Sequence, residues 1–236
     1  MIHSGLSLVL AVTIEAIAPS RCAACDGPAH RLSAFCVYCA STVEHAPPAS
    51  CAAFVYAGAV AAAIVRMKYG ARPDLARPLG DLLWRSLEGR SDRWRGGLVV
   101  PVPMHPARLA NRGFSPPALL ARRVAPRLEA RLAPLALART RDTPQQTTLD
   151  RVARATNVAG AFRVRQPEAV RGRAVLLVDD VTTTGATLDA CANVLRAAGA
   201  ASVGRAAIAA AAHRVVDSPA TRETVVSSPQ PSWRAR

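Results

Sequence analysis

The chain has 236 residues, half of them hydrophobic and only 4% aromatic, and it carries a net charge of +14 at neutral pH. That length fits one large domain or a domain with an appendage, and that apolar content excludes a chain too polar to build a core. The charge suits a polyanion, whether nucleic acid, anionic lipid or a small polyphosphate, and does not choose among them.

The charge is unevenly placed. Residues 101–173 hold fourteen arginines against four acids, and Lys68 is the sole lysine of the chain. A composition rich in alanine and arginine is what a GC-rich genome produces, and bidentate phosphate contacts would draw on the same arginines.

Residues 1–20 read as a helix ended by Pro19. Its apolar run GLSLVLAVTIEAIAP is too short to span a bilayer, has no lysine or arginine before it, and is interrupted by Glu15. A packed helix is therefore expected rather than a secretory signal, and a cytoplasmic location with no membrane span. Next come Cys22-x2-Cys25 and Cys36-x2-Cys39, ten residues apart. Two such knuckles can complete a thiolate tetrahedron, so Cys22, Cys25, Cys36 and Cys39 are the expected ligands of a structural zinc ion. Disulfides do not suit a cytosolic chain. Cys51 and Cys191 are left as core residues. The linker HAPPAS closes this part at residue 50.

A short strand is expected at residues 54–56, then a helix at 59–69 stopped by Gly70. Pro73 and Asp74 open another helix to about Leu87, with Leu75, Leu79, Leu82 and Leu83 on one face. SDRWRGG reads as a turn and LVVPVP as a strand ended by prolines. MHPARLANRGFS reads as a loop. Ser115 with Pro116 and Pro117 reads as the cap and first turn of a helix ended or bent by Pro126. A strand is expected near residues 132–138, then a polar lid, RTRDTPQQTTLDRVARATN. Residues 175–178 read as a central parallel strand, 187–198 as a helix stopped by Gly199, and 202–210 as a last strand. From about residue 214 the chain reads as a disordered tail. Strands alternating with helices predict an α/β domain with a parallel sheet flanked by helices.

The stretch VLLVDDVTTTGAT, residues 175–187, ends an apolar strand in two acids and a small hydroxyl loop. In open parallel sheets, ligands bind beyond the carboxyl ends of strands. A loop that opens a helix presents backbone N–H groups that bind phosphate. The carboxylates would repel that phosphate but accept hydrogen bonds from sugar hydroxyls. A ribose 5-phosphate meets both demands. A receiver domain would place its acid pair early and a lysine downstream, and a P-loop needs G-x-x-x-x-G-K-[ST]; neither pattern is present.

The stretch resembles the phosphoribosyl-pyrophosphate motif of type I phosphoribosyltransferases. RGFSPP, TPQQTTL and RATNVAGAF, with KYGARPDLARPLGDLL before them, narrow the resemblance to the ComF family over residues 20–212. Ser115 and Pro116 stand where that family usually has Asn and Gln. The resemblance implies a type I phosphoribosyltransferase-like sheet at residues 51–213, a zinc-ribbon-like module of four cysteines with its leading helix at 1–50, and a tail at 214–236. It also implies that Asp179 and Asp180 hold ribose hydroxyls, directly or through hydrated magnesium, and that Thr182, Thr183, Thr184, Gly185, Ala186 and Thr187 form the 5-phosphate loop. Arg108 and Arg112, on one side of their loop, could clamp an anion bidentately, and Arg141 and Arg151 would face pyrophosphate. Two activities fit: a phosphoribosyltransferase using phosphoribosyl pyrophosphate with magnesium, or a non-catalytic accessory protein of competence, natural transformation and DNA uptake that binds single-stranded DNA or partner proteins.

Overall fold

The computed structural model describes residues 20–141 and 160–211. The expected N-terminal helix, most of the lid with Arg151, and the tail lie outside the described residues.

Strands β1 (Ala52–Val55), β2 (Leu98–Pro101), β3 (Arg131–Leu132), β6 (Ala174–Thr182) and β7 (Ser202–Ala210) form one sheet in the order β1-β7-β6-β2-β3. Every neighbouring pair runs parallel. Strands β4 (Leu137–Arg139) and β5 (Phe162–Val164) pair separately as an antiparallel ribbon. The helices are α1 (Gly58–Tyr69), α2 (Ala76–Leu87), α3 (Pro106–Arg112), α4 (Pro116–Val124) and α5 (Ala186–Ala197), with single helical turns at Val37–Ala40 and Pro167–Val170.

Both faces of the sheet are covered, which is why β2 and β6 read as unbroken apolar runs. Their side chains alternate between two cores. Val99, Leu176 and Val178 pack with Ile64 and Met67 of α1, Leu79 and Leu83 of α2, and Leu120 and Val124 of α4. Leu98, Val100, Val175 and Leu177 pack with Leu188, Cys191 and Leu195 of α5 and with Leu137 and Phe162 of the ribbon. Cys191 is fully buried among these apolar groups and Cys51 half-buried.

Two sequence expectations are corrected. The stretch read as a loop after β2 folds into α3, because His105 caps it: its Nδ1 accepts the Ala107 N–H at 3.4 Å, and Pro106 supplies a first-turn φ that suits a helix. Gly113, at φ 80°, ends it. The strand expected near residues 132–138 is two strands in different sheets. Ala133 still donates to the Val99 carbonyl as the chain leaves β3, and a turn over 133–136 carries Leu137 across to the ribbon. The other expected elements stand within a few residues of expectation, although β6 runs on through both aspartates to Thr182, and β5 and the turn at Pro167–Val170 have no counterpart in the sequence reading. Ser115 caps α4, its Oγ accepting the Ala118 N–H at 3.4 Å, and a 3-10 turn at Ala125–Leu128 follows where Pro126 was expected to bend the helix. Gly70 closes α1.

The sheet order creates a crevice. From β2 the chain moves through α4 outward to β3; from β6 it moves through α5 the other way, to β7. The connections diverge between β2 and β6, so the carboxyl ends of those two strands bound an open cleft. Strand β6 also outruns β2: its pairing with β2 stops at Pro101 and Val178, while pairing with β7 continues to Thr182 and Ala210. The two aspartates therefore stand clear of β2, at the mouth of the cleft.

Candidate functional site

A cavity of about 380 Å³ occupies this cleft. Its walls include Asp179, Asp180, Thr182, Thr183, Gly185, Ala186 and Thr187 from β6 and the loop after it, and Arg108 and Arg112 from α3. The fold brings the α3 arginines here because α3 follows β2, the sheet neighbour of β6.

Adjacent strand residues point to opposite faces. Asp180 shares the face of Leu176 and Val178, toward α1, and there Lys68 meets it: Nζ lies 2.9 Å from Oδ2. Asp179 shares the face of Val175 and Leu177, and Arg139 of β4 lines the same cavity. Each carboxylate also accepts the backbone N–H of the next residue, Asp179 Oδ1 from Asp180 at 2.8 Å and Asp180 Oδ1 from Val181 at 2.7 Å. Both acids are buried. Burial, then the neighbouring Asp180 charge, pushes the Asp179 carboxyl well above the ordinary carboxylate range.

The loop after β6 leads straight into helix α5. Gly185 sits at φ 82° as the N-cap of α5, and with Ala186 and Thr187 it puts the start of that helix on the cavity wall. A Cβ placed on Gly185 would lie 3.6 Å from Asp189 Oδ2, so left-handed backbone rather than crowding calls for glycine there. Thr184 takes a different part from its neighbours. Its Oγ1 accepts the Ala186 N–H at 3.4 Å, and it lines a neighbouring groove rather than this cavity.

Of the remaining sequence-predicted residues, Arg141 is exposed and does not line the cavity, although Arg139, two positions earlier, does. The Arg141 carbonyl accepts from Arg139 Nε at 3.3 Å, so the two are linked. Lys68 and Tyr69 also line the cavity; the sequence places them at the head of KYGARPDLARPLGDLL but gives them no part in the site. For Lys68 a signal was available in composition: one lysine in a chain whose other cations are arginine. Tyr69 is two-thirds exposed, and the Arg112 guanidinium lies over its ring, 5.4 Å from the centroid.

The four cysteines of the two knuckles come together away from this cavity. Their sulfurs all lie within 4.8 Å of one another, and Cys25 and Cys36 Sγ are 3.8 Å apart. Four thiolates on arms of about 2.3 Å around a tetrahedral ion sit about 3.8 Å apart, so the cluster could hold a metal. The Gly27 N–H points at Cys25 Sγ from 3.4 Å. Burial pushes the Cys22 thiol up, but the backbone N–H groups of Cys36, Cys25 and Ala24 outweigh it and bring it down to about 6. Burial and the neighbouring thiols push Cys39 up to about 12. Thiolates crowded in this way oppose one another's ionisation, and a bound cation removes that opposition.

A parallel sheet in the order β1-β7-β6-β2-β3, with an acid pair and a helix-opening threonine loop at its switch point, is the architecture of a phosphoribosyltransferase-type protein. The family described as phosphoribosyl transferase domain matches residues 117–234. The DNA utilization protein YhgH of Salmonella typhi is 31% identical over 208 residues, covering 85% of this chain and 88% of that protein. YhgH of Escherichia coli O6:H1 is 36% identical over 153 residues, covering 63% of this chain and 66% of its own length, so the chain spans just under two thirds of that relative. The chain belongs to the phosphoribosyl transferase domain family, in its ComF-like branch together with YhgH. Among solved structures, the phosphoribosylpyrophosphate synthetase of Mycobacterium smegmatis is similar at 23% identity and a TM-score of 0.35, over 56% of this chain and 33% of that one. Among the described residues no helix is long and apolar enough to cross a membrane.

Proposed function

We propose that this protein binds phosphoribosyl pyrophosphate, with magnesium, in the cleft between β2 and β6. The observation that carries the reading is one cavity with an acid pair on one wall and the glycine-opened start of helix α5 on another. An anion alone would be repelled by the acids, and a cation alone would be repelled by the helix dipole and the arginines. A ribose 5-phosphate offers hydroxyl donors to Asp179 and Asp180 and an anion to residues 182–187. Arg108, Arg112, Arg139 and Lys68 then face the pyrophosphate, with Arg141 and Arg151 brought in from the lid. Magnesium would be held by the hard oxygens of Asp179 and Asp180, directly or through its waters, and would neutralise the charge of the pyrophosphate. In a transferase the chain's own contribution is to orient the sugar and to stabilise the departing pyrophosphate electrostatically.

Cys22, Cys25, Cys36 and Cys39 are proposed to hold a structural zinc ion, since four sulfur donors leave no open coordination position. The proposed division places the cysteine module at residues 1–50 and the phosphoribosyltransferase-like domain at 51–213, in a cytoplasmic protein.

The description of the relatives as DNA utilization proteins, together with the arginine excess over residues 101–173, favours a second reading, in which the same ligand site serves a non-catalytic protein of DNA uptake that contacts single-stranded DNA or uptake partners. Calorimetric titration with phosphoribosyl pyrophosphate and magnesium tests the binding. A screen for pyrophosphate release against free bases and single-stranded DNA separates the two activities: release with one specific base supports the transferase, whereas salt-sensitive DNA binding without release supports the accessory protein.

A further inference from the structure

We propose that Thr42, Asp26 and Arg66 are positioning residues for the ligand cavity: the two cysteine knuckles grip helix α1 at its opposite ends and so hold Lys68 against Asp180. Helix α1 has twelve residues and is about 18 Å long. Lys68 is in its last turn. A basic residue presented from a helix end reaches a partner on the sheet only if the helix is fixed in both translation and rotation, and the side chains of α1 that face the core, Val60, Ile64 and Met67, are apolar and non-directional.

Directional contacts come from the cysteine module. At the start of α1, Thr42 Oγ1 accepts the Ala59 N–H at 2.9 Å and donates to the Cys39 carbonyl at 2.8 Å. The Thr42 backbone N–H also donates to the Cys39 carbonyl, at 3.1 Å. The second knuckle therefore caps this helix through one threonine, three residues past its last cysteine. Gly58, at φ 48°, sits so close beneath it that a Cβ would lie 2.3 Å from the Thr42 carbonyl oxygen. At the other end, Arg66 Nη1 donates to the carbonyls of Ala23 (3.0 Å) and Cys22 (3.5 Å), and Nη2 pairs with Asp26. Arg72, just beyond the helix, reaches the same carboxylate at 3.2 Å. Asp26 is itself part of the first knuckle: its N–H donates to the Cys22 carbonyl at 3.0 Å, and it is held at φ 61°. Lys68 follows Arg66 by two residues, so the contacts that fix one guanidinium fix the backbone that presents the lysine. Each knuckle thus holds one end of the helix, and the cysteine cluster holds the knuckles to each other.

By linkage, whatever stabilises the cysteine cluster favours the cavity geometry, and ligand in the cavity favours the cluster to the same degree. The clamp draws its functional meaning from the reading of the cavity as a ribose phosphate site, but it can be tested without any ligand. Lys68 is the only lysine. Acetylation of the full chain with an amine-reactive ester, followed by peptide mass spectrometry, therefore reports on this one side chain, with the N-terminal amine as internal reference. In the zinc-loaded parent, Lys68 should react slowly. Thr42→Val, Arg66→Gln or removal of the metal with a chelator should raise its relative rate by about tenfold, the range expected for losing a hydrogen bond to a charged group. Asp180→Asn should do the same directly, and Thr42→Ser, which keeps the hydroxyl, should restore slow labelling. Asp26→Asn, a milder break of the same contact, serves if Arg66→Gln does not fold. Rates equal to the parent in variants that circular dichroism shows to be folded would overturn the clamp, most plainly if Asp180→Asn alone accelerates labelling. Titration with phosphoribosyl pyrophosphate and magnesium is run beside it. No binding by a parent that labels slowly sinks the ligand reading and leaves the clamp standing, whereas equal affinity and equal labelling in parent and variants sinks the clamp alone.

Discussion

Lys68 Nζ and Asp180 Oδ2 are 2.9 Å apart, joining the last turn of α1 to the end of β6. Their side chains keep only 18% and 10% of their exposure, so the pair is poorly screened by solvent. Leaving either partner alone there is costly. The same carboxylate is the proposed acceptor for a sugar hydroxyl, which makes it the natural place to test the ligand.

Asp180→Asn keeps the shape of the side chain and removes its charge. Phosphoribosyl pyrophosphate with magnesium, at about 100 times its dissociation constant, should stabilise the parent by about 2.7 kcal/mol. For a chain of this size that is a rise in Tm of roughly 5–10 °C. The variant should lose most of that rise, because a charge-assisted acceptor becomes a neutral one. An equal rise in parent and variant, read by differential scanning fluorimetry, would remove Asp180 from the ligand site.

Asp179 sets a pH dependence. Its carboxyl is raised by burial first and by the Asp180 charge second. Between the ordinary value of 3.8 and the raised one, the folded protein holds a proton that the unfolded chain has released, so stability falls as pH climbs through that window. Asp179→Asn should flatten this part of the pH profile and stabilise the free protein at neutral pH by about 1 kcal/mol, at the expense of ligand binding. Urea unfolding at several pH values checks it; parallel profiles for parent and variant would show that Asp179 ionises freely in the folded state.

The purified protein should contain about one zinc per chain, by metal analysis. Cys22, Ala23, Ala34 and Phe35 share a core with Ile64 and Leu79, so the module is packed on the domain as well as joined to it by the linker. Cys36→Ser should therefore release the metal and lower the Tm of the domain by about 10 °C or more. A metal-free parent with its four cysteines disulfide-bonded or freely reactive would sink the zinc site.

Gly185→Ala separates strain from function. The added methyl meets nothing closer than Asp189 Oδ2 at 3.6 Å, so the cost to the fold is that of a left-handed backbone, about 1 kcal/mol. Ligand affinity should fall by about tenfold or more, because the loop would relax by turning its N–H groups away from the phosphate. A variant that is destabilised yet binds as tightly as the parent would mean that the loop is scaffold.

What the amino-acid order determined here is local. The burial of both sheet faces is written in the unbroken apolar runs of β2 and β6, the helix limits in Gly70, Ser115 and Gly199, and the cysteine cluster in the paired C-x-x-C spacing. The acid pair and threonine loop are legible because all their parts fall within thirteen consecutive residues. Tertiary structure decided everything that depends on which elements become neighbours. The sheet order sets β2 beside β6 and so brings α3 arginines to the acid pair, and Lys68, far from Asp180 along the chain, reaches it only because α1 packs over that face. The helix α3 is not legible in the sequence because a seven-residue segment with a histidine cap has little propensity of its own, and the break within residues 132–138 is not legible because a change of sheet leaves no mark on hydrophobic pattern. Propensity and periodicity report on a residue's immediate turn or pleat; which distant side chain completes an ion pair is fixed by packing, after those elements exist.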